Sequence, residues 1–359
     1  MTTQFDPVST SESIVSDYQR YLRSLLPISD SALEKSLEKA IGKQSALFRG
    51  PLIEATPAYI RGASLRALIE EGVIPKTFSR LDSDALPLDR QLYAHQEKAT
   101  RKARLGRSLV VSTGTGSGKT ESFLIPILAS LIEESEKAPL KPGVRALLLY
   151  PMNALANDQI KRLRQLLAKT PDITFGRYVG STPREQEMAE KLFANQNPDE
   201  PLLPNELISR VAMQEAPPHF LLTNYAMLEY LLLRPKDMDL FEGAYGGSWR
   251  FLIVDEAHVY DGSRGSELAM LIRRLTDRVG AQSLQCIATS ATVGAETNQK
   301  AVTDFASNLF GQKLDWNPTN VNEQDLVVSE KLRPRTGTWG PISPEQASDF
   351  AKSEPLSDE

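Results

Sequence analysis

The sequence predicts an α/β protein built on a mostly parallel, doubly wound sheet, preceded by an α-helical N-terminal region. Three observations carry that expectation. Short apolar runs such as "VRALLLYP" (144–151) and "FLIV" (251–254) suit strands buried on both faces. They alternate with longer segments of helical period. And "STGTGSGKTES" (112–122) sets a glycine-rich loop between a strand-like run, 108–111, and an apolar helical run, 123–132.

Each element follows from its local pattern. Residues 1–13 are polar and rich in Ser and Thr, and are expected to be disordered. Tyr18, Tyr21, Leu22, Leu25 and Leu26, then Leu33, Leu37 and Ile41, recur at helical spacing, so residues 14–90 read as a helical N-terminal region and linker. Within it, 62–74 is a short helix with Ser64 as N-cap and Gly72 as stop, and 79–90 is the linker. The pattern changes at Gln91. A helix over 93–105 precedes a strand over 108–112, the glycine loop, a helix over 120–136, strand 144–151, helix 153–168 and the short strand 174–180. A polar insertion fills 184–216. Strand 219–224, helix 225–234, strand 250–258, helix 265–279 and strand 283–292 complete a domain placed at 91–312. Residues 313–359 read as a linker or tail.

Composition narrows the function. A hydrophobic fraction of 41 % and a charged fraction of 24 % are those of a globular chain. No apolar run nears the roughly 18–20 residues of a membrane span, and "MTTQFDPVSTSES" lacks a basic stretch followed by an apolar core. The single cysteine, Cys286, excludes an internal disulfide and a cysteine-based zinc site; with only three histidines, His95, His219 and His258, a histidine-rich metal cluster is not expected. A cytoplasmic protein without a membrane partner is expected. The net charge of −5 is not that of a small nucleic-acid-binding domain. Any such contact would come from local features, of which the basic run 101–107 is one, equally readable as a solvated helix end.

The glycine loop is built for phosphate. Main-chain N–H groups of Thr113, Gly114, Thr115, Gly116, Ser117 and Gly118 and of the helix start point at an anion, with the helix dipole behind them. Lys119 would reach the β- and γ-phosphates and Thr120 would place its hydroxyl on Mg²⁺. Position 113 is Thr where the general pattern has Gly. A distant partner is needed, and "FLIVDEAH" supplies it: a buried strand presents Asp255 and Glu256 at its carboxyl end, where ligands of open α/β sheets gather. Asp255 would anchor Mg²⁺ and Glu256 would act on the attacking water. Ser290 and Thr292 stand at a third strand end, where hydroxyl residues are also ordinary turn formers.

Taken in order, GSGKT, "YPMNALANDQ", "VGSTPRE", "LLTNYAML", DEAH and SAT resemble the first motor domain of a superfamily 2 DEAD/DEAH-box helicase, over roughly residues 91–312. More narrowly, "LYAHQEKA", "YPMNALANDQ" and "TNYAMLEYLLLRP" are similar to large bacterial helicases that carry a C-terminal domain of unknown function, of the DNA-repair and phage-defence type. The resemblance implies a RecA-like P-loop domain using ATP and Mg²⁺. It gives Lys119, Thr120, Asp255 and Glu256 the roles above, and makes Gln96 the reader of adenine, whose N6 and N7 an amide can pair together. It makes His258, Ser290 and Thr292 the link from nucleotide hydrolysis to movement. It puts Pro151, Asn153, Gly180, Thr223 and Asn224 on the nucleic-acid backbone, on strand-end loops of the opposite rim. His219 has no counterpart and is expected at the surface or a strand end. The resemblance further implies a second RecA-like domain, from the same longer protein, delivering an arginine to the γ-phosphate. A Gln-x-x-Gly-Arg-x-x-Arg type run is absent from 293–359. The expectation is therefore the ATP-binding half of a nucleic-acid helicase or translocase, DNA ahead of RNA, weakly active alone. The alternative is a P-loop ATPase that remodels or switches a protein partner.

Overall fold

The computed structural model describes residues 6–25, 28–41, 57–114, 116–280, 284–291 and 299–332. Two compact units divide the chain, residues 1–57 and 58–359. Among its described residues the first holds two helices, α1 (Pro7–Leu25) and α2 (Ser31–Ile41). α1 begins at Pro7, so residues 7–13, expected to be disordered, form its opening turns. The same Ser and Thr side chains that make this stretch look unstructured bond locally instead: Thr10 Oγ1 and Ser9 Oγ both donate to Asp6 O, at 2.7 and 3.3 Å. Asp30 caps α2, its Oδ1 accepting from Ala32 N and Leu33 N at 2.8 and 3.0 Å.

The second unit opens with β1 (Arg61–Ser64), paired antiparallel with β2 (Gln91–Tyr93). The helix expected over 62–74 is shorter, α3 (Leu65–Glu70), because Arg61–Ser64 is taken by that pairing. Ser64 is its N-cap, Oγ accepting from Ala67 N at 3.2 Å. α4 (Ala94–Arg104) leads into the main sheet.

That sheet has eight strands: β3 (Leu109–Ser112), β4 (Ala146–Tyr150), β5 (Phe175–Arg177), β6 (Glu206–Leu207), β7 (Phe220–Asn224), β8 (Phe251–Val254), β9 (Gln285–Ser290) and β10 (Leu326–Val328). Their spatial order is β10-β3-β9-β8-β4-β7-β5-β6, and every pairing is parallel. Alternate residues of each strand enter two apolar cores, one per face. Leu109, Val111, Ala146 and Leu148 join the first core, with the helix α5 (Lys119–Lys137) packed on it. Val110, Leu147 and Leu149 join the second, with α9 (Tyr225–Leu233), α10 (Gly262–Arg278) and α11 (Gln299–Phe310). Burial on both faces explains why these strands read as continuous apolar runs.

Two further readings of the sequence need correction. β10 lies in the segment read as tail, yet it forms an edge strand, Leu326–Val328 pairing with Val110–Ser112. The polar insertion over 184–216 holds α7 (Gln186–Gln196), β6 and α8 (Arg210–Glu215). Its polarity hid them because one charge is buried: Arg164, from α6 (Asn153–Leu167), forks onto both Glu206 oxygens at 2.8 and 2.9 Å. Among the described residues no helix is long and apolar enough to cross a membrane.

Candidate nucleotide site and nucleic-acid edge

Because all eight strands run the same way, the loops after β3, β4, β7, β8 and β9 leave along one edge. The register aligns them: Ser112 opposite Ser290, Val254 opposite Ala288 and Leu149, Tyr150 opposite Asn224. The glycine loop follows β3. Gly116 and Gly118 have φ of +73° and +68°, the left-handed region where a side chain is strained. A Cβ on Gly118 would also lie 2.5 Å from Gln96 Nε2. Thr113 is fully buried, its N–H donating to Ser290 O at 3.0 Å, which ties the loop to β9. Its hydroxyl meets that of Ser117. Thr115 lies outside the described residues.

From the loop's other side, α4 braces it. Gln96 Nε2 donates to Gly118 O and Gln96 Oε1 accepts from Tyr93 N, both at 2.8 Å. Burial lowers the pKa of His95, so the neutral ring donates from Nε2 to Ser117 O at 3.0 Å. The Tyr93 ring stacks on His95, centroids 5.6 Å apart, and so belongs to the protein's own aromatic packing. Both amide atoms of Gln96 thus have partners, but each keeps one hydrogen-bonding position, a second N–H and a second lone pair. A bidentate contact to adenine is compatible with them.

Lys119 opens α5, and its Nζ lies 2.6 Å from Glu256 Oε1, 137 residues away in sequence. The side chains are 10 % and 21 % exposed, so the pair is largely shielded from solvent. Glu256 has φ +49°, the one positive φ outside glycine among the described residues. A left-handed non-glycine residue costs about 1–2 kcal/mol, and such strain concentrates at functional sites. Among the described residues Glu256 Oε2 has no hydrogen-bond donor. It faces His258 Nδ1 at 3.3 Å, and that nitrogen lies 3.5 Å from Ser290 Oγ. Asp255 accepts from Thr289 Oγ1, which also accepts from Glu256 N at 3.1 Å. Burial, with the Glu256 charge behind it, raises the Asp255 pKa despite that hydrogen bond and Lys119. Thr292 lies outside the described residues. Thr120 Oγ1 accepts from Gln159 Nε2 at 3.4 Å.

An ammonium, two carboxylates and a hydroxyl helix start therefore meet at one sheet edge, over a phosphate-shaped loop. A family model described as DEAD/DEAH box helicase matches residues 93–301, more than half of the chain. The chain belongs to the DEAD/DEAH box helicase family. Among its relatives, Druantia protein DruE of Escherichia coli is 31 % identical over 84 % of this chain and 21 % of that protein. ATP-dependent helicase Lhr-Core of Methanothermobacter thermautotrophicus is 30 % identical over 55 % of this chain and 21 % of that protein. The crystal structure of the DUF1998 helicase MrfA bound to DNA is 25 % identical, with a TM-score of 0.53, over 77 % of this chain and 29 % of that one. The chain thus spans about a fifth of the length of these two curated relatives. Its sheet is the RecA-like fold of this family.

In this chain the residues carried over for nucleic acid share the carboxyl edge with the glycine loop, rather than lying on an opposite rim. β8 separates them, with β3 and β9 on one side and β4, β7 and β5 on the other. Asn153 is exposed and opens α6, Oδ1 accepting from Asn224 Nδ2 at 2.8 Å; Asn224 Oδ1 caps α9 through Met227 N. Pro151 is half-buried beside them. Gly180 O accepts from Arg210 Nη2 at 2.7 Å. Thr223 is fully buried and donates to Tyr178 O at 2.6 Å, so its hydroxyl joins β7 to the β5 end instead of facing outward. The basic run is structural: Arg101 pairs with Glu71 and Glu97, Lys102 donates to Val321 O and Gln324 O, and Arg107 pairs with Asp325. His219 is buried at the entry to β7, not at the surface. Its Nδ1 accepts from Thr174 N at 2.9 Å, and burial, with the Arg145 charge added, pulls its pKa down to about 4.

Sequence reasoning missed Thr289, Glu121, Gln159 and Arg162. Thr289 stands one residue before the SAT run, so its position was available but its direction across the sheet was not. Glu121 and Gln159 lie within quoted motifs and Arg162 just after one, yet nothing local signals that α6 and α5 meet.

Proposed function

We propose that this chain is the ATP-binding half of an ATP-dependent nucleic-acid helicase or translocase, acting on DNA ahead of RNA. The observation that carries the reading is the 2.6 Å contact between Lys119 and Glu256, with Asp255 beside it, at the mouth of a glycine loop. Support for DNA comes from the 25 % identical relative whose structure holds it.

The donor set fits a magnesium nucleotide. Asp255 and the Thr120 hydroxyl offer hard oxygens, and among the described residues no three His, Cys, Asp or Glu gather as a metal cage. A hard cation held by one carboxylate would take its other oxygens from phosphates and water. When bound, Mg²⁺ neutralises charge on the phosphate oxygens. Lys119 exchanges Glu256 for the β- and γ-phosphates. Glu256, released, orients the attacking water and takes its proton. His258 stands between Glu256 and Ser290, a route by which the γ-phosphate's state would reach the end of β9. A second RecA-like domain of the same longer protein supplies an arginine, worth roughly 10³–10⁵ in rate in related phosphoryl transfers. The isolated chain accordingly binds Mg-ATP and turns it over slowly.

Fluorescence anisotropy with matched DNA and RNA single strands, with and without a non-hydrolysable ATP analogue, tests this. The expected result is analogue binding together with oligonucleotide binding, DNA the tighter. Analogue binding with no affinity for either strand would transfer the chain to the protein-remodelling class.

A further inference from the structure

Helix α6 joins the two candidate sites. Its first residue, Asn153, is held by Asn224 at the nucleic-acid edge. Six residues on, or about 9 Å along the axis, Gln159 Nε2 donates to Thr120 Oγ1 at 3.4 Å. Three residues further, on the same helix face, the Arg162 guanidinium pairs with the Glu121 carboxylate, whose side chain is 8 % exposed. Both contacts land on the opening turn of α5, directly after Lys119. Gln159 Oε1 is buried and has no hydrogen-bond partner among the described residues, so a polar atom is kept beside Thr120 with none of them to satisfy it.

We propose that Gln159 is a positioning residue that orients the Thr120 hydroxyl for the magnesium nucleotide and, through α6, ties that orientation to occupancy of the Asn153–Asn224 end. This rests on the nucleotide-site reading above. A hydroxyl oxygen has two lone pairs and one hydrogen. Accepting from Gln159 commits one lone pair, which fixes where the other points. The Arg162–Glu121 pair ties α6 to the opening turn of α5, so a displacement at Asn153 would be felt at Thr120. The link is a packed helix that touches both sites, the kind of element that can carry coupling.

The test uses the whole chain, a fluorescent non-hydrolysable ATP analogue and a single-stranded oligodeoxynucleotide. Gln159→Met keeps the length and removes the donor; Gln159→Leu is the second variant. In the wild type the oligonucleotide tightens analogue binding, by reciprocity roughly 5-fold or more. In Gln159→Met the half-saturating Mg²⁺ for analogue binding rises about threefold or more, and the coupling falls below about twofold. Oligonucleotide affinity and melting temperature stay at wild-type values, which a merely structural role would not predict. A variant that retains coupling and Mg²⁺ requirement overturns the proposal, as does a wild type that binds both ligands independently. A wild type that binds no analogue overturns the nucleotide-site reading itself, and this proposal with it.

Discussion

Replacing Gln96 with alanine removes a side chain that is 4 % exposed and bonded at both amide atoms, to Tyr93 N and Gly118 O. Both partners are only half-buried, so water can reach them once the amide is gone. Each lost bond then costs about 1 kcal/mol, or roughly 2 kcal/mol together. In a domain of this size that lowers the melting temperature by about 4–8 °C. The nucleotide effect is separate. Reading adenine through N6 and N7 discriminates by about 1–3 kcal/mol, which is roughly 5- to 150-fold in the ratio of ATP to GTP affinity. Competition of ATP and GTP against a fluorescent analogue measures that ratio, and a melt on the same samples measures stability. The account predicts that Gln96→Ala lowers the melting point and brings the ratio close to one. A lower melting point with the ratio intact would refute the adenine role and leave Gln96 as a brace between α4 and the loop.

Glu256→Gln keeps the shape but cannot take a proton; turnover falls by about 10²–10⁴ while ATP stays bound, as filter binding and single-turnover product formation would reveal. Asp255→Asn behaves differently in the fold. Burial raises the Asp255 pKa, so the folded chain binds its proton more readily and stability declines as pH rises from 3.8 through the folded value. Asparagine still accepts from Thr289, so its melting temperature at neutral pH equals or exceeds that of the wild type although Mg-dependent nucleotide binding is weakened; a fall of several degrees contradicts this. His219 has the opposite consequence in acid. With its pKa drawn from 6.5 to about 4, its contribution is complete above pH 6.5 and is lost as pH falls towards 4, by on the order of 3 kcal/mol. Denaturant melts across that range should lose this component in His219→Phe, and an unchanged pH slope argues against the buried neutral ring.

The sheet was legible because burial on both faces leaves apolar runs, and the loop chemistry because phosphate needs glycine, Lys119 and Thr120 in fixed order. What stayed hidden depends on partners far away in sequence. β1 and β10 are short edge segments whose pairing, Arg61 with Tyr93 and Val327 with Val111, has no local signature. Thr223 looks like an outward hydroxyl at a strand end until β5 is placed beside it. Glu256 reads as a carboxylate, but its left-handed backbone arises from the turn after β8 rather than from residue type, since glycine would be the usual choice there. The Gln159–Thr120 and Arg162–Glu121 contacts require the packing of α6 against α5.

The central claim is that Lys119 and Asp255, from separate strand ends, serve one bound triphosphate. A double-mutant cycle on Mg-ATP affinity, by equilibrium dialysis with Lys119→Ala, Asp255→Asn and the pair, tests it most directly. Each single change should weaken binding by about tenfold or more, and the double should be little worse than the weaker single variant. Two effects that simply add, or two singles that bind as the wild type does, would contradict a shared site.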